Sequence, residues 1–352
     1  MALTRVVRVG NVPIGGGYPI SVQSMTNTKT VDVESTVAQV IRLADRGCDI
    51  VRVSVPDKES ATALRKIVDR SPVPLVADIH FDYNLAVESI KNGVAKIRLN
   101  PGNIGEDWKL REIVKAAREF GVPVRVGANS GSIEKRFAYL EKATAIAESA
   151  LAQAGLLEKF GFEDIVISVK SSSVSDTVRA TSYVSERADY PLHLGVTEAG
   201  FGVDAVVKSS IGIGTLLLKG IGDTLRVSVS GDPLQEVDIA LSIMRILGMR
   251  NGPDIIACPT CARTEIEVEK LARDVKGWLS GVDKNLKVAV MGCVVNGVGE
   301  GKDADLGIAG TRSGGVIFMR GEVVERIEKD NLEERFKYWI SLLVSEEGGR
   351  GG

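Results

Sequence analysis

Short apolar segments alternate with longer amphipathic segments along the first two-thirds of the chain. The apolar segments have the length and the β-branched composition of buried strands. There are eight of them, at 21–25, 50–55, 75–80, 96–100, 124–129, 165–170, 192–197 and 224–230. Between them apolar residues recur at helical spacing, as at Val33, Val37, Val40 and Ala44, and Gly47 follows as a helix C-cap would.

Eight strand–helix units predict an α/β fold, an N-terminal (β/α)8 TIM barrel over residues 1–248. A doubly wound open sheet is the alternative topology, but most of these strands end in a polar residue, which favours the closed barrel. After the turn MRNGPD the pattern changes, and residues 254–345 predict a smaller α+β domain. Its predicted strands are 255–257, 286–291, 306–310 and 315–319, its predicted helices are 264–280 and 332–344, and the tail 346–352 is predicted to be disordered.

The composition limits the class of partner. Of the 352 residues 44% are hydrophobic and only 5% aromatic, enough for a large aliphatic core. The net charge is −2 and the charges are dispersed, which argues against nucleic acid or an acidic membrane as partner. No segment has the pattern of a signal peptide or a membrane span, so we expect a soluble cytoplasmic protein with reduced cysteines.

Arginine occurs inside four of the predicted strands, where burial makes a charge costly. These residues are Arg52, Arg98, Arg125 and Arg226, on strands two, four, five and eight. The carboxyl ends of barrel strands form the active-site face, so the four guanidinium groups are expected to converge there. Arginine pairs with phosphate through parallel charge-assisted hydrogen bonds. The pattern predicts a phosphorylated ligand, with internal arginine–carboxylate bridges as the alternative.

Other strand ends also carry polar groups that suit a ligand site. They are Asp78, His80, Asn100, Asn129, Lys170 and Glu198. Each has an ordinary structural interpretation when taken singly, and His193, the second of two histidines, is consistent with a buried core residue. The glycines within 208–223 suggest backbone contacts to phosphate, although tight turns explain them equally well.

The cysteines form the clearest pattern of the small domain. Cys258 and Cys261 have C-x-x-C spacing, and Cys293 follows the next predicted strand. Three thiolates do not complete a zinc site or an iron–sulfur site, which prefer four ligands. Glu300, seven residues beyond Cys293 in a glycine-rich segment, is a candidate fourth ligand, with a solvated carboxylate as the alternative. A thioredoxin-like dithiol is another interpretation, but it leaves Cys293 without a role.

The remaining cysteine, Cys48, precedes the second strand and is expected to be a small buried hydrophobic residue at the stabilising face of the barrel.

The motifs, taken in order, resemble a known family. They are SVQSMTNT, VRVSVP, ADIHFD, IRLNPGN, HLGVTEAG, GIGDTLRVS, CPTCART and MGCVVNGVGE. This order is similar to that of the bacterial 4-hydroxy-3-methylbut-2-enyl diphosphate synthases of the methylerythritol phosphate pathway (the IspG/GcpE family), in their shorter two-domain form. The resemblance implies reductive ring opening and dehydration of 2-C-methyl-D-erythritol 2,4-cyclodiphosphate, with two electrons delivered through a [4Fe-4S] cluster.

The resemblance also implies roles for individual residues. The cluster ligands would be Cys258, Cys261, Cys293 and Glu300, and Glu198 would act as a proton donor. It further implies reduced ferredoxin or flavodoxin as electron donor, and a homodimer in which the cluster domain of one chain closes the barrel of the other. The substrate contacts would be Arg52, Asp78, His80, Arg98, Asn100, Arg125, Asn129, Lys170, Arg226 and Ser228.

Two other functions fit parts of the pattern. Lys170 at the end of strand six occupies a position where a Schiff-base aldolase on a sugar phosphate carries its lysine. A non-enzymatic electron carrier or iron sensor would use the small domain alone. Neither accounts for the four arginines together with the three cysteines.

Overall fold

The computed structural model of the protein describes residues 3–346. The chain divides into two compact units, and the boundary falls between Leu247 and Gly248. The predicted disordered tail is described only at Glu346, where a helix ends, and 347–352 lie outside the described residues. In the part of the chain that the structure describes, no helix is both long and apolar enough to cross a membrane.

The first unit begins with an antiparallel hairpin that the sequence pattern did not predict. Its strands are β1 (Val7–Val9) and β2 (Val12–Ile14), joined through Gly10 in a left-handed conformation with φ of 58°. Val9 and Ile14 are fully buried against Ile50 and Val76, which lie at the amino ends of two barrel strands. The hairpin therefore forms an apolar floor at the end of the barrel opposite the predicted site.

Eight parallel strands follow, in the positions that the sequence predicted. Sequential strands pair with one another, β10 pairs with β3, and a parallel bridge between Ile167 and Leu192 closes the barrel. The strands are β3 (Ser21–Met25), β4 (Ile50–Ser54), β5 (Leu75–Asp78), β6 (Lys96–Arg98), β7 (Val124–Asn129), β8 (Ile165–Lys170), β9 (His193–Leu194) and β10 (Thr224–Leu225). The TIM-barrel prediction is confirmed.

Helices connect these strands, and acidic or hydroxyl side chains cap several of their N-termini. Asp32, Asp57 and Ser173, for example, accept a hydrogen bond from a backbone N–H in the first turn of their helix. The helices are α1 (Val33–Asp45), α2 (Lys58–Val68), α3 (Tyr83–Lys91), α4 (Pro101–Ile104), α5 (Asp107–Phe120), α6 (Lys142–Glu158), α7 (Val174–Ser185), α8 (Gly202–Leu218) and α9 (Pro233–Ile246).

Along each barrel strand, successive side chains point alternately outward to the surrounding helices and inward to the barrel interior. Val51 and Val53 join the core under the helices, and Arg52 between them faces inward beside Val76 of the neighbouring strand. Interiors of TIM barrels are dominated by branched aliphatic residues. Here many inward positions are polar, as follows from the strand registers: Ser21, Gln23, Arg52, Asp78, Lys96, Arg98, Arg125, Ser168, Lys170, His193 and Thr224.

The second unit is an α+β domain built on a mixed five-stranded sheet. The first three strands are parallel and the last two antiparallel, in the order β11 (Asp254–Ala257), β12 (Lys287–Met291), β13 (Leu306–Thr311), β14 (Gly314–Met319) and β15 (Glu322–Glu328). Its helices are α10 (Val268–Trp278), α11 (Gly297–Glu300) and α12 (Leu332–Glu346). Leu271 of α10 and Phe336 of α12 pack on one face of the sheet with Val288 and Val290.

Several predicted element boundaries were wrong. The strands β9 and β10 are shorter than predicted, although the backbone N–H of Arg226, just beyond β10, still donates to the carbonyl oxygen of Leu194 at 3.0 Å. The helix expected from 264 starts at Val268, since Thr264 instead bonds Cys261. The strand β15 was missed because its side chains are mostly exposed and charged.

Candidate active site

The carboxyl ends of the barrel strands surround a cavity of about 220 Å³. Four guanidinium groups contribute to its wall, as the sequence predicted. Of the ten predicted substrate-binding residues, nine line this cavity: Arg52, Asp78, His80, Arg98, Arg125, Asn129, Lys170, Arg226 and Ser228. The strand register accounts for the convergence, since Met25, Arg52 and Val76 are ladder partners, as are Asp78, Arg98 and Arg125.

Asp78 is the carboxylate at the centre of this cluster. Its Oδ1 lies 3.2 Å from NH1 of Arg98, and its Oδ2 lies 3.9 Å from Nε of Arg52 and 3.6 Å from Nε2 of His80. Burial alone would raise the pKa of Asp78, but Arg52, the contact with His80, Arg98 and Arg125 together hold it well below its usual range. Asp78 is therefore ionised and fixes the two arginines beside it.

Arg226 is held by a carboxylate from a different element, Glu236 of α9. Glu236 is 3% exposed, and its two oxygens accept hydrogen bonds from Nε and NH2 of Arg226 at 3.0 and 2.9 Å. The same carboxylate accepts from the Ser24 hydroxyl at 2.9 Å and from the backbone N–H of Val229. Arg226 therefore has an internal ion pair of the kind that the sequence left open as the alternative, as does Arg98 with Asp78, while both arginines also line the cavity.

Arg52 has a second contact, with a thioether instead of a carboxylate. Its Nε lies 3.1 Å from Sδ of Met25, and NH1 of Arg226 lies 3.7 Å from the same sulfur. Burial and the nearby Arg226 and Arg98 lower the pKa of Arg52 to about 10, although Asp78 opposes the shift.

Arg125 and Lys170 differ from the other cations of the cavity. Arg125 is 3% exposed, and its NH1 has no hydrogen-bond partner among the described residues. Burial, Arg52 and Arg98 lower its pKa, with Asp78 opposing them. Burial, followed by the positive charge of Arg125, lowers the pKa of the Lys170 amine well below its usual value. Of the cations in the cavity, Arg125 and Lys170 are the ones whose positive charge is least balanced by carboxylates of the protein itself.

Two predicted residues do not line the cavity. Asn100 caps α4, where its Oδ1 accepts a hydrogen bond from the Gly102 N–H at 3.0 Å. Glu198 is exposed and has a φ of 52°, a left-handed backbone conformation that is uncommon outside glycine. Strained residues of this kind cluster at functional sites, where the surrounding structure maintains them.

Sequence reasoning missed some residues of the site. Ser168 lines the cavity and Glu236 lies behind it, and neither was predicted; Thr197, which the sequence places beside Glu198 at the end of strand seven, also lines the cavity. A signal for Glu236 does exist in the sequence: with Pro233, Val237 and Ala240 it falls on the buried face of α9, where an acidic residue is unexpected.

The glycines of α8 are not a phosphate-binding loop. Gly212 lies inside the helix, and a Cβ there would come within 2.6 Å of the Val196 side chain, so glycine permits close packing on the barrel. Gly220 and Gly222 follow the helix and precede β10, which places them at the amino end of that strand, away from the cavity.

In the second unit, the carboxyl ends of two adjacent parallel strands carry the three cysteines. Cys258 follows β11 and Cys293 follows β12, and Ala257 is the ladder partner of Val290. The Gly292 N–H lies 3.0 Å from Sγ of Cys258. Cys261 is exposed, and Cys258 and Cys293 are half-buried. Glu300 ends the single-turn helix α11 that follows Cys293.

The three cysteines thus lie at or just beyond the carboxyl ends of adjacent parallel strands, and Glu300 follows Cys293 by one short helix, but the four candidate ligands are not packed into a closed cage. Among residues 3–346, the structure contains no group of three or more histidine, cysteine, aspartate or glutamate side chains close enough to hold a metal ion. Three thiols and a carboxylate on glycine-rich loops are nevertheless a donor set that fits an iron–sulfur cluster.

Cys48 lies apart from these thiols, in the core of the barrel unit. It is 2% exposed, and its Sγ lies 3.1 Å from the carbonyl oxygen of Ile50. Burial raises the pKa of this thiol to about 12.

Comparison with known proteins identifies the family through both units. The family described as "GcpE TIM-barrel domain" matches residues 4–241, and "GcpE protein C-terminal domain" matches residues 254–341. The chain belongs to the GcpE family.

Relatives of this GcpE-family chain resemble it along nearly their whole length. A protein of Thermotoga petrophila named "4-hydroxy-3-methylbut-2-en-1-yl diphosphate synthase (flavodoxin)" is 56% identical over 344 residues, covering 98% of this chain and 99% of its own. A protein of Geobacter sulfurreducens with the same name is 48% identical and covers 98% and 99%, respectively.

Solved structures resemble the GcpE-family chain in fold alone. The dihydropteroate synthase of Stenotrophomonas maltophilia has a TM-score of 0.51 at 14% identity and covers 66% of this chain and 92% of its own. That of Yersinia pestis also has a TM-score of 0.51, at 12% identity, and covers 69% and 98%.

Proposed function

We propose that the protein is an iron–sulfur oxidoreductase that converts 2-C-methyl-D-erythritol 2,4-cyclodiphosphate into 4-hydroxy-3-methylbut-2-enyl diphosphate. In this reaction a carbon–oxygen bond of the cyclic diphosphate breaks, a hydroxyl leaves as water and a carbon–carbon double bond forms. For the neutral acids, two electrons and two protons enter and one water leaves, so the equation balances. The names of the curated relatives and the family match over both units support this assignment.

The observation that carries the proposal is the uncompensated positive charge of the barrel cavity. Arg125 is buried without a partner for its NH1, and Lys170 lies in the same cavity. A diphosphate supplies the anionic oxygens that these groups lack, and its charge favours their protonated forms. The paired arginines, Arg98 with Asp78 and Arg226 with Glu236, then present fixed donors around the same ligand.

The remaining polar groups of the cavity orient the substrate in this proposal. Asn129, Ser168 and Ser228 offer hydrogen bonds to its hydroxyl groups, and the His80 ring stands over Asp78 at the rim. Glu198, on the exposed strained loop after β9, is assigned the role of proton donor to the departing hydroxyl. Asn100 acts indirectly in this scheme, by fixing the backbone after β6.

Cys258, Cys261, Cys293 and Glu300 would hold the [4Fe-4S] cluster at the edge of the second sheet. When bound, the cluster supplies the two electrons one at a time. The Gly292 N–H donates toward the Cys258 sulfur, which suits a thiolate ligand. We further propose reduced flavodoxin as electron donor, which the relatives' names support, and a homodimer in which two chains complete the active site.

Electron paramagnetic resonance of anaerobically purified, dithionite-reduced protein tests this function. Iron and sulfide are assayed in parallel, and spectra are taken before and after addition of the cyclic diphosphate. We expect about four irons per chain and a spectrum that changes with the substrate. Turnover is then followed with reduced flavodoxin. Protein without iron after reconstitution, or a spectrum indifferent to substrate, would overturn the proposal.

One observation favours a second candidate, a Schiff-base aldolase. The lowered pKa of Lys170 is what such a lysine requires, and phosphate-binding arginines surround it. Borohydride trapping of a sugar phosphate on Lys170 would support that function. It gives no role to the cysteines of the second unit, so we rank it lower.

A further inference from the structure

A second group of polar side chains lies deeper in the barrel than the cavity. Two of them precede a cavity residue by two positions on the same strand, as Lys96 precedes Arg98 and Thr224 precedes Arg226. We call the group the deep polar layer; its members are Ser21, Gln23, Lys96, His193 and Thr224.

All members of this layer are buried and have polar atoms without a hydrogen-bond partner among the described residues. These atoms include the Lys96 amine, both ring nitrogens of His193 and both amide atoms of Gln23. Native proteins satisfy nearly all buried polar groups, so a cluster of unsatisfied ones calls for a functional explanation. The strand ladders place three members side by side, because Thr224 is the partner of both Ser21 and His193.

Lys96 is the critical member, because it is fully buried among cations. Its exposure is 0%, and burial, then Arg125 and Arg52, lower the pKa of its amine well below the usual value. The neighbouring His193 also has a lowered pKa, owing to burial, Arg125, Lys170, Lys96 and Arg52. Full burial of an amine that has no hydrogen-bond partner among the described residues, close to other cations, favours its neutral form.

The other charged groups that face the barrel interior do not change this result. Arg98 and Arg226 add positive charge. The two carboxylates, Asp78 and Glu236, are already held in ion pairs with those arginines.

We propose that Lys96 takes up a proton when an anion binds in the cavity, and that the resulting ammonium group stabilises this anion from inside the barrel. Arg125 connects the two levels, since it lines the cavity and lies on β7, the strand that pairs with the Lys96 strand β6; its positive charge lowers the pKa of the Lys96 amine. An anion on Arg125 offsets its charge and favours the protonated amine. Binding of the anion and of the proton are then linked reciprocally.

This inference rests on the proposed function, because a diphosphate is the anion in question. To that function the inference adds Lys96 as a specificity-determining residue. A more highly charged anion favours the protonated amine more strongly, so Lys96 selects diphosphate over a single phosphate. Lys170 has a different part, since it lines the cavity and is placed to contact the anion directly.

Isothermal titration calorimetry of the full chain with inorganic pyrophosphate tests the inference. Titrations at pH 8 in buffers of different ionisation enthalpy give the number of protons taken up per anion bound. We expect the unmodified protein to take up about one proton more than Lys96→Met. Gln23→Met is the matched control, because it removes a polar but non-titrating member of the same layer and should keep the full uptake.

The preference between anions gives a second readout. The affinity ratio of pyrophosphate to orthophosphate should fall about tenfold in Lys96→Met and stay unchanged in Gln23→Met. Ionisation of free pyrophosphate is common to all three proteins and cancels in the comparison.

Equal proton uptake by the unmodified protein and Lys96→Met would overturn the inference. Should Lys96→Met fail to fold, the pH dependence of pyrophosphate affinity in the unmodified chain decides. After correction for the free anion, affinity should fall as pH rises, by up to about tenfold per pH unit, and a flat profile would refute the inference. Anion binding without this linkage overturns the inference alone, whereas no anion binding at all overturns the proposed function as well.

Discussion

The Glu236 carboxylate and the Arg226 guanidinium form a bidentate ion pair in which both partners are largely buried. The pair joins helix α9 to the end of strand β10. The Arg226 guanidinium group also lines the cavity, so it can still donate hydrogen bonds to a ligand. One arginine of the site is thus fixed by the scaffold before any ligand arrives. Such preorganisation reduces the entropy that ligand binding has to overcome.

Replacing Glu236 by Gln should destabilise the fold and at the same time increase the stabilising effect of a bound anion. Breaking a buried pair leaves Arg226 uncompensated, which costs about 3 kcal/mol or more in the free energy of unfolding. Pyrophosphate would supply the missing negative charge, so its addition should raise Tm more in Glu236→Gln than in the unmodified protein. Urea denaturation and thermal scans measure both effects.

Asp238→Asn is the matched control for this variant. Asp238 lies on the same helix and pairs with Arg46, but both side chains are about half exposed. Exposed pairs contribute within about 1 kcal/mol. A similar loss of unfolding free energy in Asp238→Asn and Glu236→Gln would show that the buried pair of Glu236 contributes no more than an exposed one.

Arg125→Met should abolish most anion binding without loss of stability. The unpartnered buried guanidinium of Arg125 opposes folding, and replacement of buried charges by apolar side chains is often neutral or stabilising by about 1–4 kcal/mol. Loss of its charge-assisted hydrogen bonds should weaken pyrophosphate binding by about 10- to 100-fold. Calorimetry and urea denaturation measure the two quantities.

Arg98→Met is the contrasting variant, because Arg98 has a carboxylate partner in Asp78. It should lose both anion affinity and stability. Equal stability losses in Arg125→Met and Arg98→Met would contradict the assignment of Arg125 as the uncompensated cation.

His193 should make stability depend on pH in the acidic range. Burial lowers its pKa in the folded chain, whereas in the unfolded chain the value is near 6.5. Below that pH the unfolded chain binds a proton that the folded chain does not, so the free energy of unfolding falls by about 1.4 kcal/mol per pH unit. Urea denaturation of the unmodified protein and His193→Gln between pH 5 and 8 checks this; equal slopes below neutrality would rule it out.

Glu300→Cys should keep its iron but lose most turnover. A fourth thiolate completes the proposed ligand set with a less exchangeable donor than the carboxylate. Asp303→Cys places a thiol on the same exposed loop without replacing the proposed ligand, and it should retain turnover. Iron assay and flavodoxin-dependent turnover are the measurements, and normal turnover in Glu300→Cys would refute the idea of an exchangeable ligand.

Cys48 should be inert toward thiol reagents in the native state. Its pKa of about 12 and its burial keep the thiolate fraction negligible, unlike that of the exposed Cys261. In metal-free protein, three thiols should react with an aromatic disulfide reagent, and the fourth only after unfolding. In Cys48→Ala the number of thiols that react in the native protein should stay at three, and the number that react after unfolding should fall from four to three. Reaction of all four thiols in the native, unmodified protein would show that Cys48 is accessible.

The barrel and the convergence of its arginines followed from the sequence because they depend on local patterns. Arg52 and Arg125 lie on strands whose alternation fixes the direction of each side chain, and TIM barrels place strand ends together. The strand positions were therefore predicted well, although β5 and β6 end two residues earlier than expected and β9 and β10 are shorter still.

The charge state of those arginines did not follow from the sequence, because it depends on neighbours from other elements. Arg226 is paired through Glu236 and Arg125 is not, although both lie on similar strands. The packing of α9 decides the difference. The deep polar layer was missed for the same reason: Lys96 and Gln23 look like ordinary strand residues until the barrel closes around them.

The hairpin floor shields the amino end of the barrel from water. Val9 and Ile14 cover Ile50 and Val76 at the amino ends of two strands, so an apolar layer lies between solvent and the buried polar side chains at that end. The low-dielectric surroundings of those polar groups therefore depend on a segment far from the cavity. Removal of the chain before Ile14 would hydrate this end of the barrel and weaken the desolvation of the groups above it.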